Sequence, residues 1–363
     1  MGTRHERNEM SEKEFHYGLA LLRIWMCFEV VCFHFFGADI VLNPITKMIK
    51  IWGSIAVPVF MIMSFAMTDI AEMAHSREKT KKRFCRLLVP HFFWTAVYYL
   101  IYLLLDKTKG LKLEHGFTDA LWQLFFFHSI NETLWFQFDL IVMTVLFLAV
   151  FRLNKRAALA VSLFLAYLAV ALQYFGINGS LFRDVSWPKT ICGTYFSKSY
   201  VIYPIGRFTE MVPYAVIGIF MGNYKIFNKL KDRKIETCIG SALAVLLVHK
   251  GNLFNTLDYT GWGCQGLYRV AMGFFTVMFF VGVPSAIIPN VAKKMIASVS
   301  KYTMAIYFMH RLIATILYKT SLASVLHMSE GSIYDCLIIF AISLAVALGA
   351  GRIPIKWVKM SMS

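Results

Sequence analysis

The stretch RIWMCFEVVCFHFFG, Arg23 to Gly37, reads as an apolar helix, yet it carries an arginine, a glutamate and a histidine. Eleven residues along, His34 is close to three full helical turns from Arg23. Both therefore project from nearly one face, about 16 Å apart along the axis. Ionisable groups inside a membrane are costly and usually mark pathways or active sites. A polar face running most of the way across a bilayer predicts function. The competing reading is two buried polar groups satisfied by neighbouring helices. Glu29 lies on a different face and is expected to partner another helix.

A second cluster is TKKRFCRLLVP, Thr80 to Pro90. Arg83 and Arg86 are i and i+3 and share a helix face. Two guanidinium forks side by side suit a phosphate or pyrophosphate. Lys81 and Lys82 add charge at the same place. On charge alone these residues are a membrane anchor; they gain meaning with Arg23, which opens on the same side. A third cluster is KYTMAIYFMHR, Lys301 to Arg311, where Tyr307 and His310 are i and i+3, either functional or a helix-packing pair. Asp139 in LWFQFDL and Glu210 in GRFTEMVPY are further acids about a turn inside their spans. One of them is expected to balance Arg207 or Arg23.

The elements that must position these groups are membrane helices. Of the 363 residues, 58% are hydrophobic and only 16% charged, and mean hydropathy is +0.58. Soluble domains carry nearer a quarter charged residues. The 32 Phe, 17 Tyr and 8 Trp suit a lipid-facing chain with aromatic interfaces. Ten apolar stretches are long enough or nearly so, near 17–37, 51–72, 87–105, 134–151, 157–175, 207–222, 235–249, 266–283, 302–318 and 334–351. The stretch 117–130 is too short and re-enters or lies flat. The expected fold is all-α, a polytopic bundle of about ten transmembrane helices: a tail over 1–16, one transmembrane domain over 17–352 and a tail over 353–363.

Net charge is +16, which in a soluble protein would point to nucleic acid. Its distribution says otherwise. With the N-terminus inside, the cytoplasmic segments hold 23 Lys and Arg and the outer ones 10. That is the positive-inside bias, with both termini cytoplasmic and no nucleic-acid partner. The polar first sixteen residues lack a cleavable signal, so the first span is expected to stay as an anchor. The seven cysteines show no metal spacing. Most are expected to be small core residues; Cys192 and Cys264, in outer loops, are the one pair placed to bridge.

Together these residues resemble the acyltransferase-3 family of integral-membrane O-acyltransferases, over nearly the whole chain. Arg23 and His34 match its Arg, ten residues, His pattern in the first helix. VPVFMIMSF at 57–65, with Ser64, resembles its F-F-x-x-S-G-F. Arg83-Phe84-Cys85-Arg86 matches R-x-x-R, Leu134-Trp135-Phe136 matches L-W-F, and Ile306 to His310 matches I-Y-L-x-H. Phe65 replaces the usual glycine, so a close helix contact there must be remodelled. Thr133 stands where many members have His.

The resemblance implies transfer of an acyl group, most often acetyl, from cytosolic acyl-CoA to a glycan hydroxyl at the outer face of a bacterial cytoplasmic membrane. No permanently bound cofactor or metal is implied; acyl-CoA is a co-substrate. Arg23, Arg83, Arg86 and Lys82 would bind the phosphates at the inner mouth, and the thin pantetheine arm would thread toward His34. Neutral His34 would be the general base on the hydroxyl, by direct transfer or through an acyl-His intermediate. Tyr307, His310, Ser64, Asp139, Trp135 and Glu210 would support the site, with Tyr307 or Ser64 as oxyanion donor. Trp187, Trp262 and Asp258 in the outer loops suit a sugar, although an aromatic belt would look the same. The alternative is a multi-span transporter or flippase for a glycan or lipid-linked sugar. That reading calls for paired broken helices or internal symmetry, and neither is visible.

Overall fold

A computed structural model describes residues 16–35, 44–109, 134–174, 198–250, 265–328 and 331–362. Among them every regular element is helical. The long helices are α1 (Tyr17–Phe35), α2 (Pro44–Ala66), α4 (Arg77–Lys109), α5 (Trp135–Val150), α6 (Lys155–Tyr174), α7 (Lys198–Asn223), α9 (Lys234–Lys250), α10 (Gln265–Gly282), α12 (Thr303–Lys319) and α14 (Ile333–Ala350). Between them lie α3 (Ile70–Ala74), α8 (Ile226–Lys229), α11 (Asn290–Val299) and α13 (Leu322–Val325), and α15 (Lys356–Met362) follows.

Each of the ten apolar stretches overlaps a long helix among the described residues. Four of these, α1, α4, α6 and α14, are long and apolar enough to cross a membrane by length and composition. Shorter apolar segments occupy α2 from Trp52, α5, and α10 from Leu267. The stretch 51–72 is not one helix. It ends at Ala66, and α3 restarts after Asp69, whose carboxylate caps the new helix by accepting from the Glu72 amide at 2.9 Å. At the other junction, α4 begins ten residues before the apolar run, because all of the REKTKKR segment but Thr80 is made of good helix formers.

Helix α1 is the hub. It packs against α2, α10, α11, α12 and α14, and Leu22, Met26, Cys27, Val31 and Cys32 are buried completely. Its first half is covered by α11 and the residues just before it: Ile296 and Ile288 close over Ala20 and Leu21. Its second half meets α12, which begins at the level of Cys27, whose thiol donates to the Thr303 carbonyl at 3.2 Å. Helix α4 is tied on by polar bonds between elements. Tyr98 donates to the Phe308 carbonyl at 2.6 Å, and Trp94 donates to the Ser361 carbonyl at 3.1 Å. From α5, Gln137 donates to the Leu87 carbonyl at 2.7 Å.

The remodelled contact at Phe65 is also visible. Gly218 and Gly222 form a G-x-x-x-G step on α7, facing the end of α2. A Cβ on Gly218 would collide with the Ile62 carbonyl oxygen and stand 2.8 Å from the Phe65 Cβ. The small residue that lets two backbones approach is thus on the partner helix, opposite a phenylalanine.

Candidate active site

Two groups of side chains lie along α1. The first gathers around Arg83. Its guanidinium donates to the Ser64 hydroxyl at 2.7 Å and toward the Thr68 hydroxyl at 3.4 Å, and it lies 5.8 Å from the centre of the Phe65 ring. Ser64 and Thr68 are one helical turn apart, and the Thr68 hydroxyl donates back to the Ser64 carbonyl at 2.7 Å. These contacts hold Arg83 half-buried with its Nε unpartnered. Arg86 is exposed and within electrostatic reach of both Arg83 and Arg23. Arg23 is exposed as well, between the buried Leu22 and Met26.

Among the described residues, the ion pairs join other groups, and no carboxylate balances these three guanidiniums. Guanidiniums gathered in this way have the fork geometry that suits an anion such as a phosphate. Lys82 is placed differently. It pairs with Glu78 at 2.6 Å on an exposed face. Ser64 accepts from Arg83, so it belongs to this arginine group.

The second group is a pair of imidazoles. His34 on α1 and His310 on α12 have ring centres 5.3 Å apart, with planes inclined by 32°. His34 is half-buried and His310 fully buried. His310 is held by its own helix: Nδ1 sits 2.6 Å from the Tyr307 carbonyl oxygen and 3.3 Å from that of Ile306. Its Nε2 is buried without a partner. Aromatic rings close the surroundings. Phe35 and Tyr307 lie 6.2 and 6.0 Å from the His310 ring, and Tyr307 rests on Phe136 and Phe60. Trp135, half-buried, packs beside Phe136, and Asp139 is buried a turn further along α5.

The Glu210 carboxylate accepts from Arg269 at 2.7 Å, because α7 packs beside α10. One expectation about acids is corrected. Glu29 finds its partner within α1, since Oε1 accepts from Trp25 at 2.9 Å while Oε2 is buried and unpartnered. Trp187, Trp262, Asp258, Cys192, Cys264 and the stretch 117–130 lie outside the described residues. Sequence reasoning missed Thr68, although its place one turn beyond Ser64 is the signal that would have found it. It also left His34 and His310 unconnected, since nothing local links residues so distant.

Residues 16–352 match the acyltransferase-3 family profile, described as an acyltransferase domain. The chain belongs to the acyltransferase-3 family. No curated protein and no solved structure matches it. In this acyltransferase, both groups described above fall inside the matched region.

Proposed function

We propose that this acyltransferase moves an acyl group, acetyl in the first instance, from cytosolic acyl-CoA to a hydroxyl of a cell-surface or exported glycan. The observation that carries the reading is the polarity of α1. An arginine group without counter-ions among the described residues gathers at its Arg23 end, and a histidine pair stands at its His34 end. Arg23, Arg83 and Arg86 hold the phosphates, and the pantetheine arm runs along α1. Neutral His34 takes the hydroxyl proton as the oxygen attacks the thioester carbonyl. The ester bond forms, the carbon–sulfur bond breaks, and the proton passes to the departing thiolate.

The same proposal sets ten crossings in a bacterial cytoplasmic membrane, with both termini in the cytoplasm. It is supported by the bias of 23 basic residues against 10 and by the long helices that overlap the apolar stretches. The outer loops bearing Trp187, Trp262 and Asp258 then face the glycan. The test is transfer of labelled acetyl from acetyl-CoA by the purified protein in nanodiscs, with mass spectrometry of surface glycans from cells with and without the gene. Transport of an unmodified glycan without acyl transfer would replace this reading with the flippase.

A further inference from the structure

The geometry points to His310 as the positioning residue of His34: its Nε2 accepts a hydrogen bond from one ring N–H of His34, leaving the other ring nitrogen as the lone pair that takes the hydroxyl proton. This rests on the acyl-transfer reading above.

The argument starts from the tautomer. Carbonyl oxygens only accept, so a ring nitrogen 2.6 Å from the Tyr307 carbonyl must carry the proton. Nδ1 of neutral His310 is therefore the donor, and Nε2 carries a bare lone pair. That lone pair is buried and meets no donor among the described residues. A buried acceptor without a partner costs free energy, and such an exception in a native fold calls for a reason. The nearest polar ring is His34, which has no hydrogen bond of its own among the described residues.

Ring centres 5.3 Å apart let edge-on nitrogens meet at hydrogen-bond distance, ~3 Å, after a small rotation. Such bonds are often long before substrate arrives. The tautomer also removes a rival role. A nitrogen without a proton cannot donate to an oxyanion, so His310 does not stabilise the tetrahedral intermediate. Its effect passes through His34, as an orienting group does for any catalytic imidazole. One proton moves in the step, from hydroxyl oxygen to the free nitrogen of His34 and on to the thiolate. His310 gains and loses none.

Three substitutions separate the two nitrogens of His310. His310→Gln keeps an acceptor where Nε2 stands, His310→Asn keeps the donor where Nδ1 stands, and His310→Leu keeps neither. All are made in the full chain and compared by thermal melting in nanodiscs. With acetyl-CoA and the glycan acceptor, His310→Leu and His310→Asn should lose about 10- to 100-fold in kcat with the KM for acetyl-CoA unchanged. His310→Gln should recover most of the loss. A readout independent of turnover comes from 15N-histidine spectra, with His34 assigned by His34→Ala. One His34 tautomer should persist in wild type and His310→Gln, and two should interchange in His310→Leu and His310→Asn.

Equal activity in all three variants would overturn the inference. So would an unchanged His34 tautomer in the Leu variant, or an acyl adduct on His310 in acetyl-CoA-treated protein, which would make it a nucleophile. The spectra stand apart from the reaction. Absence of transfer by wild-type protein with the expected tautomer pattern refutes the acyl-transfer reading and leaves the pairing intact.

Discussion

Arg83 reaches from α4 to Ser64 on α2 and donates a 2.7 Å hydrogen bond to its hydroxyl. The bond fixes a guanidinium at the junction of two helices, with Arg86 free to turn toward Arg23. Arg83→Ala and Arg86→Ala should each raise the KM for acetyl-CoA about ten- to a hundredfold, the worth of roughly 1.5–3 kcal/mol for a charge-assisted contact. Ser64→Ala should raise it less, since Thr68 remains. Isothermal titration with CoA checks the order. Unchanged CoA binding by the double arginine variant would reduce both residues to topological anchors.

His34→Ala should abolish transfer while leaving CoA binding near normal, and His34→Gln should fare no better, because an amide cannot take up the proton. Near-normal turnover by a folded His34→Gln protein would remove the base from the mechanism. The sign of the pH dependence follows from the same role. The base works only when neutral, so kcat must fall on the acid side as His34 protonates, and a rate–pH series measures it.

Gly218→Ala places a methyl group against the Ile62 carbonyl. Helices α2 and α7 must separate, at a cost of about 1–3 kcal/mol as for other overpacked contacts. Thermal melting in detergent should register the loss. Gly240→Ala is the control, since nothing lies within 4 Å of its added Cβ.

Glu210→Gln and Arg269→Gln should each destabilise by about 1–3 kcal/mol, because either removes one charge of a largely buried, charge-assisted hydrogen bond. The double variant should recover part of the loss. A double variant as unstable as the sum of the singles would show that the pair has no coupling.

Topology is checked by single cysteines on a cysteine-free background. Those in residues 176–206 should react with an impermeant maleimide in whole cells, and those in 223–234 only after lysis. The opposite pattern would invert the orientation and strand the arginine group on the side without acyl-CoA.

Much of this was legible in the sequence because hydrophobic length and helical period are local properties. The ten helices and the shared face of Arg83 and Arg86 followed from spacing alone. What spacing does not encode is which helix lies beside which. Nothing local pairs Glu210 with Arg269, or His34 with a histidine 276 positions later. Glu29 misled for a related reason. Its position on a separate face implied another helix, yet Trp25 one turn earlier supplied the hydrogen bond. The break at Met67–Asp69 was hidden because hydropathy runs through it while the cap at Asp69 does not register as apolar or polar length.

The arginine group has one more consequence, for traffic through the enzyme. In the proposed reaction its guanidiniums grip phosphates that acyl-CoA and free CoA share, so this end of α1 cannot tell substrate from spent carrier. Selectivity for the loaded form must arise at the thioester, near His34. Spent CoA should therefore compete with acyl-CoA for the mouth, and its departure should pace turnover. The rate in a cell would then follow the ratio of the two forms rather than the concentration of the donor, coupling decoration of the outer surface to the acylation state of the cytosolic CoA pool.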